Sequence, residues 1–300
     1  MISKLDRNES LSFAKEILSL HYPGIDPSNI TGYKKSNIFI VEGEGKQFIL
    51  KRHETLLPSN LEILQVIYSI CSRNGLVPLF VKSKDQKSIV DHSGVFFSLQ
   101  MKMSNRVKGL DPVLLAQRVA KLHATLQTMQ VNAMENHIQK SVEGMLSLAA
   151  KYGYGGLITI IKKVNKIVED GPNQIIHGDL HVGNIIKSNS IYYFIDVDSA
   201  NKFHPISDIA FSAFRIFGFD EKKIKKYIDS YNEQSNGLAV HYQKYMWHFV
   251  VYNILQRILF IKVQNDRGNS RWLYDLDNQE RYLKDVIEYC NEMGSKFSNT

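Results

Sequence analysis

Between about Tyr33 and Met103 the apolar residues fall in short runs rich in Ile, Val and Phe, separated by polar or glycine-bearing turns. The stretch "NIFIVEGEGKQFILKRH" holds two such runs around Glu42 to Gly45, which is the pattern of a β-hairpin. "LPSNLEILQVIYSICSRNGL" changes to helical spacing; Ser59 or Asn60 can cap it and Gly75 can stop it. "LVPLFV" and "KSIVDHSGVFFSLQMKM" return to strand patterns. After Gly109 the spacing turns helical again. "DPVLLAQRVAKLHATLQTM" opens with Asp111 as cap and Pro112 at the first position, and Leu114, Leu115, Val119, Leu122 and Leu126 line one face. Several more helices are predicted beyond Asp208, ending in "NQERYLKDVIEYCNEM". The most apolar stretch, Trp247 to Lys262, is interrupted by His248, Asn253, Gln256 and Arg257, so it reads as a buried helix rather than a membrane span.

A β-rich front over residues 1–103, joined near 100–106 to an α-rich back over 104–300, predicts an α+β fold of two lobes with a cleft between them. Clefts of that kind are favoured ligand sites. The 300 residues, 44% hydrophobic, suffice for a large core. Neither a repeat nor a low-complexity block is present, and the N-terminus lacks an apolar signal core. Cys71 and Cys290 are the only cysteines, which fits a reducing compartment and predicts a cytoplasmic protein without membrane contact. The formal charge of +7 is compatible with a polyanionic partner. Because the lysines are dispersed or sit on helical faces, as in "EKKIKKY", they predict a solvated basic surface and no nucleic-acid partner, whereas a nucleotide remains an apt ligand.

The densest chemistry lies in "IIHGDLHVGNII", residues 175–186. His177, Asp179 and His181 alternate as zinc ligands could, but Gly178 and Gly183 oppose the helix that a zinc-protease motif needs. A polar turn that satisfies buried backbone is the plain alternative. Two further polar positions weigh against it. Asn184 lies five residues after Asp179, and Asp196 ends the strand "IYYFI". An acid and an amide on one loop, with a second acid at the next strand end, are the groups that phosphoryl transfer needs. One carboxylate orients a hydroxyl, and an amide oxygen with another carboxylate suits magnesium.

"HGDLHVGN", together with "FIDVDSA" and "HPISDIAF" further along, resembles the aminoglycoside phosphotransferase and choline kinase group of protein-kinase-like enzymes, over roughly Asn29 to Asn291. The resemblance implies a protein-kinase-like fold in which Asp179 is the catalytic base and His177 supports the loop. Asn184 and Asp196 would bind Mg2+, so that Asp179, His177 and Asn184 form the catalytic set. His181 would orient groups, and Asp208 would brace the loop. Asp198 reads equally as a group behind the site and as a solvated turn residue.

The same resemblance implies that Lys51, at the end of "QFILK", neutralises nucleotide phosphates and is held by Glu62 of the next helix, with Glu54 as the competitor. Ser36 and Asn37 would lie at the phosphates. Lys34 and Lys35 depart from the small residues usual there. The backbone near Gln100, Met101 and Met103 would contact the base of ATP or GTP. Gly178 replaces the arginine that regulated protein kinases carry before the catalytic aspartate, which predicts a site assembled without phosphorylation. The expected partner is a hydroxyl-bearing small molecule, an aminoglycoside-like or other antibiotic. The alternatives are a metabolic alcohol of the choline, thiamine or homoserine type, or a non-catalytic structural role such as a spore-coat component. A polycationic acceptor would need carboxylates, for which Asp198, Asp220, Asp266, Asp275 and Asp277 are candidates. A quaternary amine would need an aromatic cage, for which Tyr242, Tyr245, Trp247, Tyr252, Trp272 and Tyr274 are candidates. The sequence does not distinguish a monomer from a dimer.

Overall fold

A computed structural model describes residues 7–35, 37–53, 58–103, 109–129, 142–235, 237 and 240–292. In chain order the first elements are α1 (Arg7–His21), β1 (Ile30–Lys35), β2 (Ile38–Gly43), β3 (Lys46–His53), α2 (Leu61–Arg73), β4 (Phe80–Val81), β5 (Val90–His92) and β6 (Val95–Met101). Then come α3 (Pro112–Gln127), α4 (Val142–Lys151), α5 (Ile158–Asp170), β7 (Gln174–Ile176), β8 (Ile185–Ser188), β9 (Ile191–Phe194) and β10 (Asn201–Phe203). Helices α6 (Ile206–Phe217), α7 (Glu221–Gln234), α8 (Met246–Asp266) and α9 (Leu276–Glu292) complete the chain.

The chain divides into two compact units. The first combines Met1–Gly109 with Thr128–Met134 and Gly183–Ala200; the second holds Leu110–Gln127, Glu135–Val182 and Asn201–Thr300.

In the first unit an antiparallel sheet runs in the order β1-β2-β3-β6-β4, with β5 also paired to β6. The expected hairpin is β2–β3. Gly43 faces Lys46, and Glu44 and Gly45 both take positive φ, 50° and 69°, the backbone of a two-residue I′ turn. Helix α1 lays Ala14, Ile17 and Leu18, spaced for one helical face, on Phe39, Val41, Leu50 and Phe97 of the sheet. In α2 the buried stripe is Leu64, Ile67, Tyr68 and Cys71. Asn60 stands at its N-cap position, but its side chain makes no capping bond. The helix ends as its glycine predicts. Gly75 has φ +63°, its N–H donates to Ser72 O (3.0 Å), and the Leu76 N–H donates to Cys71 O (2.8 Å), the bond pair of a Schellman motif. The Leu76 carbonyl then accepts from Phe194 N–H (2.8 Å), which ties α2 to the β8–β9 hairpin.

The second unit is mostly helical. Asp111 caps α3 as expected, accepting from Val113 N (2.8 Å) and Leu114 N (3.1 Å). Leu115, Val119, Leu122 and Leu126 are buried, but Leu114 is 43% exposed. It precedes the stripe by one residue, about 100° around the helix, and so faces away. Helix α8 packs against α5, α6 and α9. Among the described residues no helix is long and apolar enough to cross a membrane. The four lysines of "EKKIKKY" are exposed on α7, while Ile224 and Tyr227 are buried.

Candidate functional site

In the second unit the polar loop leaves the buried strand β7, which pairs with β10. Gly178 has φ +79°, a conformation that suits glycine. Asp208, buried in the first turn of α6, fixes the loop backbone. Its Oδ2 accepts from His177 N (2.7 Å) and its Oδ1 from Gly178 N (2.9 Å). Behind it His123 Nε2 lies 3.1 Å from Oδ2, and His123 Nδ1 is 2.9 Å from the Tyr231 hydroxyl. His177 is fully buried, and its Nδ1 accepts from Asp179 N–H (3.3 Å). A side chain that turns inward in this way explains the first histidine without a metal. Among the described residues there is no group of three or more His, Cys, Asp and Glu placed to hold a metal ion.

Asp179 itself stays 41% exposed, with His181 Nε2 at 3.6 Å, an ion-pair distance too long for a hydrogen bond. Burial by itself would raise its carboxyl pKa. His181, His177 and Arg257 outweigh that effect and hold it below its ordinary value. The loop therefore presents an ionised carboxylate on a backbone fixed from below, an arrangement suited to orienting a hydroxyl.

His204, just before α6, is fully buried, and its Nδ1 accepts from Ile206 N (3.2 Å). Burial lowers its pKa from 6.5 to about 4. The neutral ring then contributes about 3 kcal/mol of stability, complete above pH 6.5 and lost as the pH falls to about 4. Urea unfolding at pH 7.5 and 4.5 should show that loss. His204→Asn, which can still accept from Ile206, should flatten it.

In the first unit β3 sets Lys51 and His53 on one face of the sheet, two residues apart, and Ser98 lies opposite Lys51 on β6. Lys51 Nζ lies 2.5 Å from Asp196 Oδ1 and 2.7 Å from Asp198 Oδ2. Asp198 is 7% exposed at its side chain. It also accepts from Tyr68 OH (2.5 Å) and meets His53 Nδ1 at 2.6 Å, while His53 Nε2 contacts Ser98 Oγ (2.8 Å). Burial would raise the Asp198 pKa, but His53 and Lys51 pull it well below the carboxylate range. Burial would likewise lower that of Lys51, and the two aspartates push it up. Asp198 is thus the buried partner of the lysine, not a solvated turn residue. Glu62 is exposed in the first turn of α2 and is not among the partners of Lys51; the helix turns Tyr68, not Glu62, toward this network. Glu54 and Ser36 lie outside the described residues.

Asn184 and Asp196 flank the β8–β9 hairpin. Ile185 faces Phe194, and one step beyond it the buried Asn184 accepts from Ile195 N through its carbonyl (2.9 Å). Asp196 has φ +64°, a left-handed conformation that costs a non-glycine residue about 1–3 kcal/mol and is common at functional sites. Asn184 and Asp196 thus stand at one hairpin end, and their hard oxygen side chains would suit a divalent cation. Asn37 lies in the β1–β2 turn, where its carbonyl accepts from Arg52 N (2.9 Å). At the end of β6, Met101 N donates to Leu79 O and Lys102 N to Gln47 O, both at 2.8 Å. Those two amides are committed to the sheet. Gln100 pairs with Ile49 and Phe80, Met103 lies just past β6, and residues 104–106 of the expected joint lie outside the described residues.

No protein-family model matches the sequence, and no curated protein matches it. Solved structures do match by fold. The amicoumacin kinase hAmiN, in complex with AMP-PNP, Ca2+ and Ami, superposes with a TM-score of 0.69 at 14% identity, covering 96% of this chain and 95% of that one. A choline/ethanolamine kinase family protein from Mesorhizobium loti gives 0.67 at 11% identity, covering 93% and 95%. The choline kinase LicA from Streptococcus pneumoniae gives 0.63 at 16% identity, covering 93% and 98%. With its antiparallel sheet, its braced Asp179 loop and its Asn184–Asp196 hairpin, the chain has the protein-kinase-like α+β fold of the aminoglycoside phosphotransferases and choline kinases.

Proposed function

We propose that the protein is an ATP- or GTP-dependent phosphotransferase that phosphorylates a hydroxyl of a small molecule, an antibiotic or a metabolic alcohol. The observation that carries this reading is the Lys51–Asp196–Asp198 cluster beside Asn184, a cation and oxygen-donor set suited to phosphate and a divalent ion. The AMP-PNP and Ca2+ in the hAmiN complex support the same assignment.

Asn184 and Asp196 would hold Mg2+, which when bound neutralises charge on the phosphates. Lys51 binds phosphate oxygens with an ammonium that Asp198 keeps positioned and charged. Asp179 accepts a hydrogen bond from the acceptor hydroxyl and aligns it for attack, and it receives the proton as the hydroxyl oxygen bonds to the γ-phosphorus and the bond from that phosphorus to the departing ADP or GDP breaks. Asp208 and His177 keep that carboxylate on its loop. Most of the rate enhancement then comes from positioning and charge rather than from a strong base.

The testing experiment is ADP or GDP release with magnesium across antibiotics, amino alcohols, thiamine and sugars. Acceptor-dependent release supports the reading. Nucleotide binding with no release for any acceptor would move it to a binding or structural role. The lysine network has a narrower test. Glu62→Gln should leave nucleotide affinity within about twofold, whereas Tyr68→Phe should cost about 2 kcal/mol of stability through loss of a donor to a buried carboxylate. Fluorescent-nucleotide titration and thermal unfolding would measure the two.

A further inference from the structure

The acceptor side of the site can be read from what its charged groups already do. A polycationic acceptor needs carboxylates to spare. Asp198 is engaged by Lys51, His53 and Tyr68. Asp220 caps α7 and pairs with Lys223 (2.8 Å), and Asp266 pairs with Lys151 (2.5 Å). Asp275 receives Arg257 Nε (3.3 Å) and Gln279 Nε2 (3.2 Å). Asp277 lies in the first turn of α9, where the helix dipole favours it. A quaternary amine needs open aromatic faces. Trp272 carries Arg257 at 4.8 Å and Arg271 at 4.3 Å, and Tyr245 carries Lys244 at 4.9 Å. Tyr252 is stacked on Phe203 in the core. The protein's own cations thus engage Asp198, Asp220, Asp266 and Asp275 and the rings of Trp272 and Tyr245, whereas Tyr274 is 72% exposed.

Arg257 stands out in this arrangement. On α8 it lies one turn beyond Asn253, on the same face. Asn253 Nδ2 donates to Ser207 Oγ (2.9 Å), next to the Asp208 that holds the Asp179 loop. This face of α8 therefore packs on the first turn of α6, the turn that carries Asp208. The Arg257 side chain is 35% exposed. Its Nε is used by Asp275, and among the described residues its two Nη groups donate to no protein acceptor. A guanidinium fork presented this way matches a carboxylate or similar oxyanion. Its charge also contributes to holding Asp179 ionised.

We infer that Arg257 is the acceptor-recognition residue, and that the phosphorylated hydroxyl belongs to a small molecule carrying an anionic oxygen group, a carboxylate above all, rather than a cation. This rests on the phosphotransferase reading above. The test pairs glycerate with glycerol and gluconate with glucitol, with kanamycin and choline as cations. Magnesium-ATP turnover by the full chain is measured alongside calorimetric binding without nucleotide. At least one acid should exceed its neutral partner about tenfold or more in kcat/KM. Arg257→Gln should erase that advantage chiefly through the KM of the acid, with a much smaller change for the neutral partner, and Arg257→Lys should restore part of it. Preference for kanamycin or choline would overturn the inference, as would an equal fall in kcat for every acceptor in Arg257→Gln. Failure of every acid both to bind and to be phosphorylated would overturn it too. Arg257-dependent binding of an acid with no turnover of any acceptor would instead overturn the kinase reading and leave the anion site standing.

Discussion

Asp179→Asn should lower kcat about 100- to 10,000-fold while nucleotide affinity stays near that of the native protein. The substitution keeps the shape of the side chain and the loop bonds of its backbone. It removes the charge that, in the proposed function, orients the hydroxyl and receives its proton. Because His181, His177 and Arg257 together outweigh burial and hold Asp179 below its ordinary pKa, the native carboxylate is ionised throughout the neutral range. The native pH–rate profile should therefore show no rise from Asp179 between about pH 5 and 8. Single-turnover phosphoryl transfer, with nucleotide binding measured separately, checks both statements. A variant that loses nucleotide affinity as much as turnover would show that Asp179 acts on the phosphates or on folding instead.

Asp208→Ala should be the most disruptive change near the site. It removes the acceptor of two backbone N–H groups, those of His177 and Gly178, and leaves His123 facing an empty position. Buried donors without acceptors cost about 1–3 kcal/mol each, so a loss of about 3–5 kcal/mol is expected. Turnover should fall with it, because the loop is positioned through that carboxylate. Asp208→Asn retains one acceptor oxygen and should fall between the two in denaturant unfolding. Equal stability of the alanine variant and the native protein would mean that the loop is held by packing alone.

Much of this arrangement is legible in the sequence, because it is local. The hairpin at Glu44–Gly45, the capping by Asp111 and the stop at Gly75 each depend on a few adjacent residues. The Asp179–Asn184–Asp196 spacing is likewise a short-range signal. The network around Lys51 is not local. Asp198 reaches the lysine across 147 positions, and nothing in "DVDSA" shows that its second acid turns inward. Glu62 has the right sequence distance and the wrong helix face; the buried positions of α2 belong to Leu64, Ile67, Tyr68 and Cys71. His53 carries a signal, since alternation along β3 puts it on the face of Lys51. Tyr68 carries none beyond its place in an apolar stripe. Helix α1 is visible only as the spacing of Ala14, Ile17 and Leu18, in a front that otherwise reads as strands.

The return of Gly183–Ala200 to the first unit bears on how the protein is made. A ribosome releases Lys51 long before Asp196 and Asp198 exist. Until then the lysine has no carboxylate, and the Leu76 carbonyl at the end of α2 lacks its Phe194 N–H. The first unit is therefore completed only after much of the second has been synthesised, and a nascent chain stopped near residue 109 lacks part of its own domain. Closing a loop of that length costs entropy that only the finished contacts recover. If the proposed phosphotransferase function holds, acquisition of nucleotide affinity should thus mark the late, long-range step of assembly.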